Sequence, residues 1–200
     1  MILSQIVLPW STARDPYQWH KALWSLFPDR PDAQRQFLYR VEQSVPGQAA
    51  MVLMLSSWKP QGNDSVPVLA MREFRPAFKL GQRLRFRLIA NPVRCIRDES
   101  GRIGKDGKSK TCRVPIIQES AQLDWLVRKL DGVATLDTAI VAAQVPMHFR
   151  KTGHAPGKLV PVRYDGILNV QSAEKLADCL YSGIGPAKAF GCGLLSLARA

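Results

Sequence analysis

Asp15-Pro16-Tyr17-Gln18-Trp19-His20 opens a helix, and the run Ile2-Leu3-Ser4-Gln5-Ile6-Val7-Leu8 before it reads as a strand, so the chain begins with a β–α step. Asp15 is a good N-cap because its carboxylate accepts from free backbone N–H groups of the first turn. Pro16 fits the first helical position, where its missing N–H costs nothing, and Gln18 stands where a capping-box partner belongs. The pattern predicts a helix to Phe27, closed by Pro28. Trp19, Ala22, Leu23, Leu26 and Phe27 share one apolar face. His20 lies at the edge of that face, with Tyr17 three residues before it and Trp24 four after it on the same side. An imidazole titrating near pH ~6.5 beside a phenol is a candidate acid–base pair; the plainer alternative is a half-buried histidine holding a hydrogen bond.

Working outward, residues 36–41, 50–56 and 67–74 read as three further strands, with a Pro46-Gly47 turn and a loop at 59–66. The order β-α-β-β-β, with a second helix short or missing, resembles a ferredoxin-like unit. Residues 76–81 form a junction. Beyond it Arg83-Leu84-Arg85-Phe86-Arg87-Leu88 alternates strictly, placing three arginines on one face of a strand and three apolar side chains on the other. A helix is expected from Ser120 to Leu130, strands at 137–145 and 158–170 with a loop at 147–157 between them, a helix capped by Ser172 through Tyr181, and a closing strand at 194–197. The expected fold is therefore α+β: two tandem ferredoxin-like (RRM-like) domains, 1–78 and 79–200, with a basic β-hairpin insert and a C-terminal glycine-rich loop.

The chain carries 28 basic and 16 acidic side chains, a net charge of +12, which points to a polyanionic partner, nucleic acid before membrane. More than half of the excess lies in residues 81–115, and this concentration argues for a site. Arg83 and Arg85 begin it. Arg94, Arg97, Arg102, Lys105, Lys108, Lys110 and Arg113 follow on a basic arm with a hairpin-turn signal at Asp106-Gly107. Arg150 and Lys151 in the 147–157 loop, Lys158 after it, and Lys188 in the glycine-rich segment add further candidates for contact with the polyanion. That segment, Gly183-Ile184-Gly185-Pro186-Ala187-Lys188-Ala189-Phe190-Gly191-Cys192-Gly193, follows a helix and leads into a strand. This is the wrong context for a dinucleotide loop. It suits either phosphate, through its N–H groups and Lys188, or tight packing against the neighbouring domain.

Cys95, Cys112, Cys179 and Cys192 form no C-x-x-C pair and read as free thiols of a reducing, cytoplasmic compartment, although Cys95 and Cys112 could face each other across a hairpin. No apolar run is long enough to span a membrane, and no basic amphipathic helix suits a membrane surface. Clustered carboxylates, H-E-x-x-H, a Walker loop and a G-x-S-x-G elbow are absent, so neither a metal nor another cofactor is expected. Cleavage of nucleic acid without metal leaves attack by a ribose 2′-hydroxyl on its own phosphate, which restricts the substrate to RNA.

The opening hexapeptide, Gly81-Gln82-Arg83 through Leu88 with Ala90-Asn91-Pro92, Gly157-Lys158, and Gly183 through Lys188 with Gly191-Cys192-Gly193-Leu194-Leu195-Ser196 together resemble the CRISPR-associated endoribonucleases of the type I-E Cascade complex, the CasE or Cse3 family. The resemblance covers the whole chain. It implies metal-independent cleavage of precursor CRISPR RNA at the base of a repeat hairpin, leaving 5′-hydroxyl and cyclic-phosphate ends, with the repeat RNA and the other Cascade subunits as partners. By position it implies that His20 is the catalytic histidine and Tyr17 its aromatic neighbour. Ser25 occupies a place where some relatives are thought to use lysine, which leaves Lys21, Lys158 and Lys188 as candidates for the third, cationic group. A catalytically silent RNA-binding subunit is the alternative reading.

Overall fold

A computed structural model of the chain describes residues 1–30, 32–97, 111–149 and 157–200. The first half contains β1 (Ile2–Leu8), α1 (Trp10–Ala13), α2 (Pro16–Trp24), β2 (Phe37–Gln43), β3 (Ala50–Ser56) and β4 (Val68–Glu73). These strands form one antiparallel sheet in the order β2-β3-β1-β4. The second half contains β5 (Arg83–Ala90), β6 (Val93–Arg97), β7 (Thr111–Pro115), α3 (Glu119–Lys129), β8 (Ala134–Ala143), β9 (Met147–Phe149), β10 (Gly157–Leu159), β11 (Val162–Val170), α4 (Ala173–Ser182) and β12 (Leu195–Arg199). Its antiparallel sheet runs β12-β5-β11-β8. Numbered within its own half, each sheet has the order 4-1-3-2 or its reverse, so the molecule is two tandem ferredoxin-like units. The ribbons β6–β7 and β9–β10 are insertions in the second.

Each sheet buries one face under its helices. In the first, Ile6, Leu8, Val52, Met54, Phe37 and Tyr39 pack against Trp19, Leu23, Leu26 and Phe27 of α2 and the turn after it. Among the described residues the second ferredoxin helix of this unit is missing; Val66 and Trp58 of the connecting loop fill its place in the core. In the second unit Leu84, Phe86 and Leu88 face Trp125 and Leu126 of α3 and Leu176 and Leu180 of α4. The period-two reading of β5 holds: its arginines are exposed and its apolar residues buried in strict alternation.

Several elements depart from expectation for local reasons. A one-turn α1 precedes α2, and Thr12 O takes the N–H of Asp15 at 3.2 Å. The reciprocal half of a capping box is thereby pre-empted, and Gln18 forms none. The main helix stops at Trp24, where the Ser25 hydroxyl donates to Ala22 O at 2.8 Å. The 147–157 segment, read as a loop, starts and ends as the paired strands β9 and β10, and Pro161 separates β10 from β11. Cys95 pairs in register with Arg113, and Cys112 with Ile96. The one-residue offset points the two thiols to opposite faces of the ribbon, so they cannot form a disulfide; all four cysteines are free. Among the described residues no helix is long and apolar enough to cross a membrane.

Candidate active site

α2 begins as its sequence predicts: Asp15 Oδ1 accepts from Tyr17 N at 2.9 Å, and Pro16 occupies the first turn. One turn in, His20 is half-buried between two aromatic rings. Phe37 of β2 lies 5.7 Å away centroid to centroid, and Trp24 stands edge-on at 6.2 Å. Trp24 Nε1 donates to His20 Nε2 at 3.2 Å. An indole nitrogen is only ever a donor, so Nε2 bears the lone pair and the neutral ring carries its proton on Nδ1. Trp24, Phe27, Phe37 and Trp58 continue the aromatic cluster behind the histidine. Burial against this hydrocarbon, and then the positive charge of Arg35, hold the imidazole below its ordinary pKa. Tyr17 is partly exposed on the same side of the helix, with no hydrogen bond to His20 among the described residues.

The far end of the chain closes over this helix. A 3₁₀ turn at Lys188–Phe190 within the glycine-rich segment rests on α2. The Tyr39 hydroxyl donates to Ala189 O at 2.6 Å, and burial pushes its pKa well up, so it stays a donor. The segment wraps the edge of β2, with Ala189 bonded on one face and Leu194 packed against Leu38 and Leu55 on the other. Gly183 has φ +74°, and an added Cβ would sit 2.8 Å from Leu38 Cδ2, so this wrap needs glycine there. Of the two uses read for the segment, packing against the neighbouring unit is what the structure displays. Buried Arg40 ties the same joint, donating to Arg87 O at 3.2 Å, Leu194 O at 3.3 Å and Glu42 Oε1 at 2.9 Å. The Phe149 and Phe190 rings meet at 4.5 Å, which brings the β9–β10 ribbon to the same place. Lys158 pairs with His148 on that ribbon. A cleft of about 640 Å³ lies alongside, walled by Trp10, Arg14, Trp19, His148 and Phe190.

The sequence-predicted residues thus separate into groups. His20, Tyr17, Lys21, Lys158 and Lys188 are carried by elements that converge on α2. Lys188 is anchored, its Nζ donating to Ser182 O at 2.6 Å, and burial, then Arg35 and Lys129, lower its pKa. Arg83 and Arg87 are exposed but paired, with Asp137 at 2.8 Å and with Asp165 at 2.6 Å, which Arg163 shares at 2.9 Å, whereas Arg85 between them meets no carboxylate among the described residues. Arg94, Arg97 and Arg113 stand on the exposed β6–β7 ribbon; register puts Arg97 and Arg113 on one face and Arg94 on the other. Arg102, Lys105, Lys108, Lys110, Arg150 and Lys151 lie outside the described residues, as does the Asp106-Gly107 turn. Sequence reasoning missed Arg35, which enters beside His20, and Lys129. The available signal was parity: Arg35 is two residues before Phe37, a strand residue that faces α2.

A duplicated ferredoxin-like scaffold with a half-buried histidine beside an arginine charge and an exposed basic ribbon suits an RNA-handling protein, and comparison places the chain in one family. A family model described as CRISPR associated protein matches residues 1–199, and the chain belongs to that family. It is 39% identical over 198 residues to the CRISPR system Cascade subunit CasE of Escherichia coli K12, covering 99% of each chain. It is 31% identical over 201 residues to the CRISPR-associated endoribonuclease Cse3 of Thermus thermophilus, covering 92% of this chain and 90% of that one. The crystal structure of Cas6e from E. coli K-12 superposes with a TM-score of 0.86 at 36% identity, covering all of both chains. A structure of T. thermophilus Cse3 bound to an RNA representing a pre-cleavage complex gives 0.76 at 26% identity over 99% of each chain.

Proposed function

We propose that this protein is a metal-independent endoribonuclease of the cytoplasm that binds the hairpin of a CRISPR repeat, cuts precursor CRISPR RNA beside it, and stays with the product in Cascade. Two units divided near residue 78 share the work: the first carries the catalytic helix, the second the basic arm and the glycine-rich segment. In the reaction the 2′-oxygen forms a bond to the adjacent phosphorus as the P–O5′ bond breaks. One proton leaves the 2′-hydroxyl and one reaches the 5′-oxygen, giving a cyclic phosphate and a 5′-hydroxyl. His20 is the proton-transfer group and Tyr17 its hydroxyl neighbour. The basic ribbon, Arg85, Lys158 and Lys188 hold the RNA backbone, joined by Arg83 where RNA phosphate competes with Asp137.

The observation that carries this reading is His20 itself. Its ring is fixed by Trp24 and Phe37, kept neutral at pH 7 by burial, and has the positive charge of Arg35, suited to phosphate, beside it. The kinship to a named endoribonuclease supports it. The test is incubation of repeat-hairpin RNA with the protein in excess EDTA, beside the same RNA carrying one 2′-deoxy substitution at the nucleotide before the cut. Cleavage of the first and survival of the second are expected. A requirement for Mg²⁺, or cutting at the deoxy position, refutes the mechanism. Binding without any cleavage points to the silent RNA-binding subunit.

A further inference from the structure

We infer that Arg35 is the cationic catalytic residue that grips the scissile phosphate beside His20, an assignment that rests on the ribonuclease reading above. Its placement follows from strand register. β2 and β3 pair Phe37 with Ser56, and Ser57 N donates to Gln36 O at 3.0 Å, so the extended pairing continues one step before β2. Side-chain alternation then gives Arg35 the same facing as Phe37 and Tyr39. Phe37 is the ring 5.7 Å from His20, and Tyr39 is the hydroxyl bonded to Ala189 O in the overlying turn. Arg35 therefore enters between the catalytic helix and the Lys188–Phe190 turn.

Its surroundings are those of a cation awaiting an anion. Arg35 is only partly exposed, yet among the described residues it meets no carboxylate and donates no side-chain hydrogen bond. A guanidinium has five donors, and withdrawing it from water without a counter-ion is unfavourable. The charge acting on His20 is that of Arg35, those acting on Lys188 are Arg35 and Lys129, and no carboxylate offsets any of them or Arg35 itself. A scissile phosphate supplies the missing charge, and the planar fork of arginine fits two of its oxygens at once.

The rivals for the role are less suited. Ser25 has no charge, and its hydroxyl is engaged by Ala22 O at 2.8 Å and Asn63 Nδ2 at 3.2 Å. Lys21 is exposed on the helix surface. Lys188 has one of its three donors committed to Ser182 O. Arg35 stays protonated through the reaction and exchanges no proton; it stabilises the charge that grows on the non-bridging oxygens as the 2′-O–P bond forms and the P–O5′ bond breaks.

The experiment is single-turnover cleavage of repeat-hairpin RNA by wild-type protein and by Arg35→Ala, Arg35→Lys and Arg35→Gln, each with its melting temperature and hairpin Kd. Loss of one oxyanion donor is worth about 10²–10³ in rate, so Arg35→Ala is expected to slow cleavage by that factor with Kd changed only a few-fold. Arg35→Lys should recover part of the loss. A single phosphorothioate at the scissile phosphate should slow the wild type and have a markedly smaller effect on Arg35→Ala, a coupling that a merely structural arginine would not show. If Arg35→Ala does not fold, Arg35→Gln, which keeps the aliphatic stem and a neutral polar end, carries the same comparison. Wild-type cleavage with a variant that cuts within twofold of it, or an equal thio effect in both, overturns the assignment of Arg35 alone. Failure of the wild type to cut overturns the ribonuclease reading and this inference with it.

Discussion

Trp24 Nε1 and His20 Nε2 lie 3.2 Å apart, one helical turn from each other, and this hydrogen bond selects one tautomer of the imidazole. Protonation of Nε2 would set two N–H groups against each other, so the bond favours the neutral ring in the same direction as burial does. Trp24→Phe keeps the aromatic packing and removes the donor. We expect the His20 pKa to rise toward 6.5 and cleavage to slow by about tenfold, a hydrogen-bond-sized effect of ~1.4 kcal/mol. NMR titration of the His20 ring checks the first, and an unmoved titration would show that the bond does not set the protonation state.

His20→Ala is expected to slow single-turnover cleavage by about 10²–10⁴ while leaving hairpin affinity nearly intact, because proton transfer is local and binding is spread over many cations. Tyr17→Phe should cost less, about tenfold, as one partly exposed hydroxyl is removed. A folded His20→Ala protein cutting at the wild-type rate would remove the histidine from the chemistry.

The lowered pKa of His20 also has a stability consequence. Between that folded-state value and 6.5 the unfolded chain binds the proton and the folded chain does not, so stability falls as pH drops through this window and levels off below the folded pKa. Melting temperatures of the wild type and His20→Gln between pH 8 and pH 4 should therefore diverge in slope below about 6.5, the wild type being the steeper. Parallel curves would mean that the imidazole titrates normally.

On the β6–β7 ribbon, the face with Arg97 and Arg113 is expected to lie on RNA phosphates. Each of Arg97→Ala and Arg113→Ala should lower the slope of log K against log salt by about 0.7–0.9, and Arg94→Ala should change it less. The reverse pattern would show that the RNA meets the other face.

Tyr39→Phe deletes the 2.6 Å bond to Ala189 O without emptying the core, and should cost about 1 kcal/mol, or roughly 2–4 °C in melting temperature. Gly183→Ala should cost more, because it adds a left-handed φ of +74° to a 2.8 Å contact with Leu38. Differential scanning calorimetry orders the two, and a Gly183→Ala protein as stable as the wild type would contradict the tight wrap around β2.

The architecture was largely legible because its signals are local. Alternation in Arg83 through Leu88 declared a half-buried strand, and Asp15-Pro16 declared a helix start. The end of α2 was not legible, since Leu26 and Phe27 stay buried in a turn that preserves the apolar face without the helix. The short strands β9 and β10 were hidden for another reason: three-residue strands are held by pairing and by the Phe149–Phe190 contact, which no local pattern announces. At the site, His20 was visible through its helix, but Arg35 was not. Parity with Phe37 could give its facing, but its neighbours come from α2 and from a turn more than 150 residues later, and the folded register brings those together.

The wrap of the glycine-rich segment around β2 also sets an order of events during synthesis. His20 leaves the ribosome early, and Lys188, Ala189 and Phe190 follow about 170 residues later. At roughly 5–20 residues per second that interval is about 8–35 s. Throughout it the first sheet exists without the Leu194 that caps Leu38 and Leu55, so a nascent chain displays a bare apolar face and an unfinished catalytic surface. Until Leu194 is made, Leu38 and Leu55 lack their cover and the Lys188–Phe190 turn is not yet on α2, so the emerging chain is at its most adhesive in this interval.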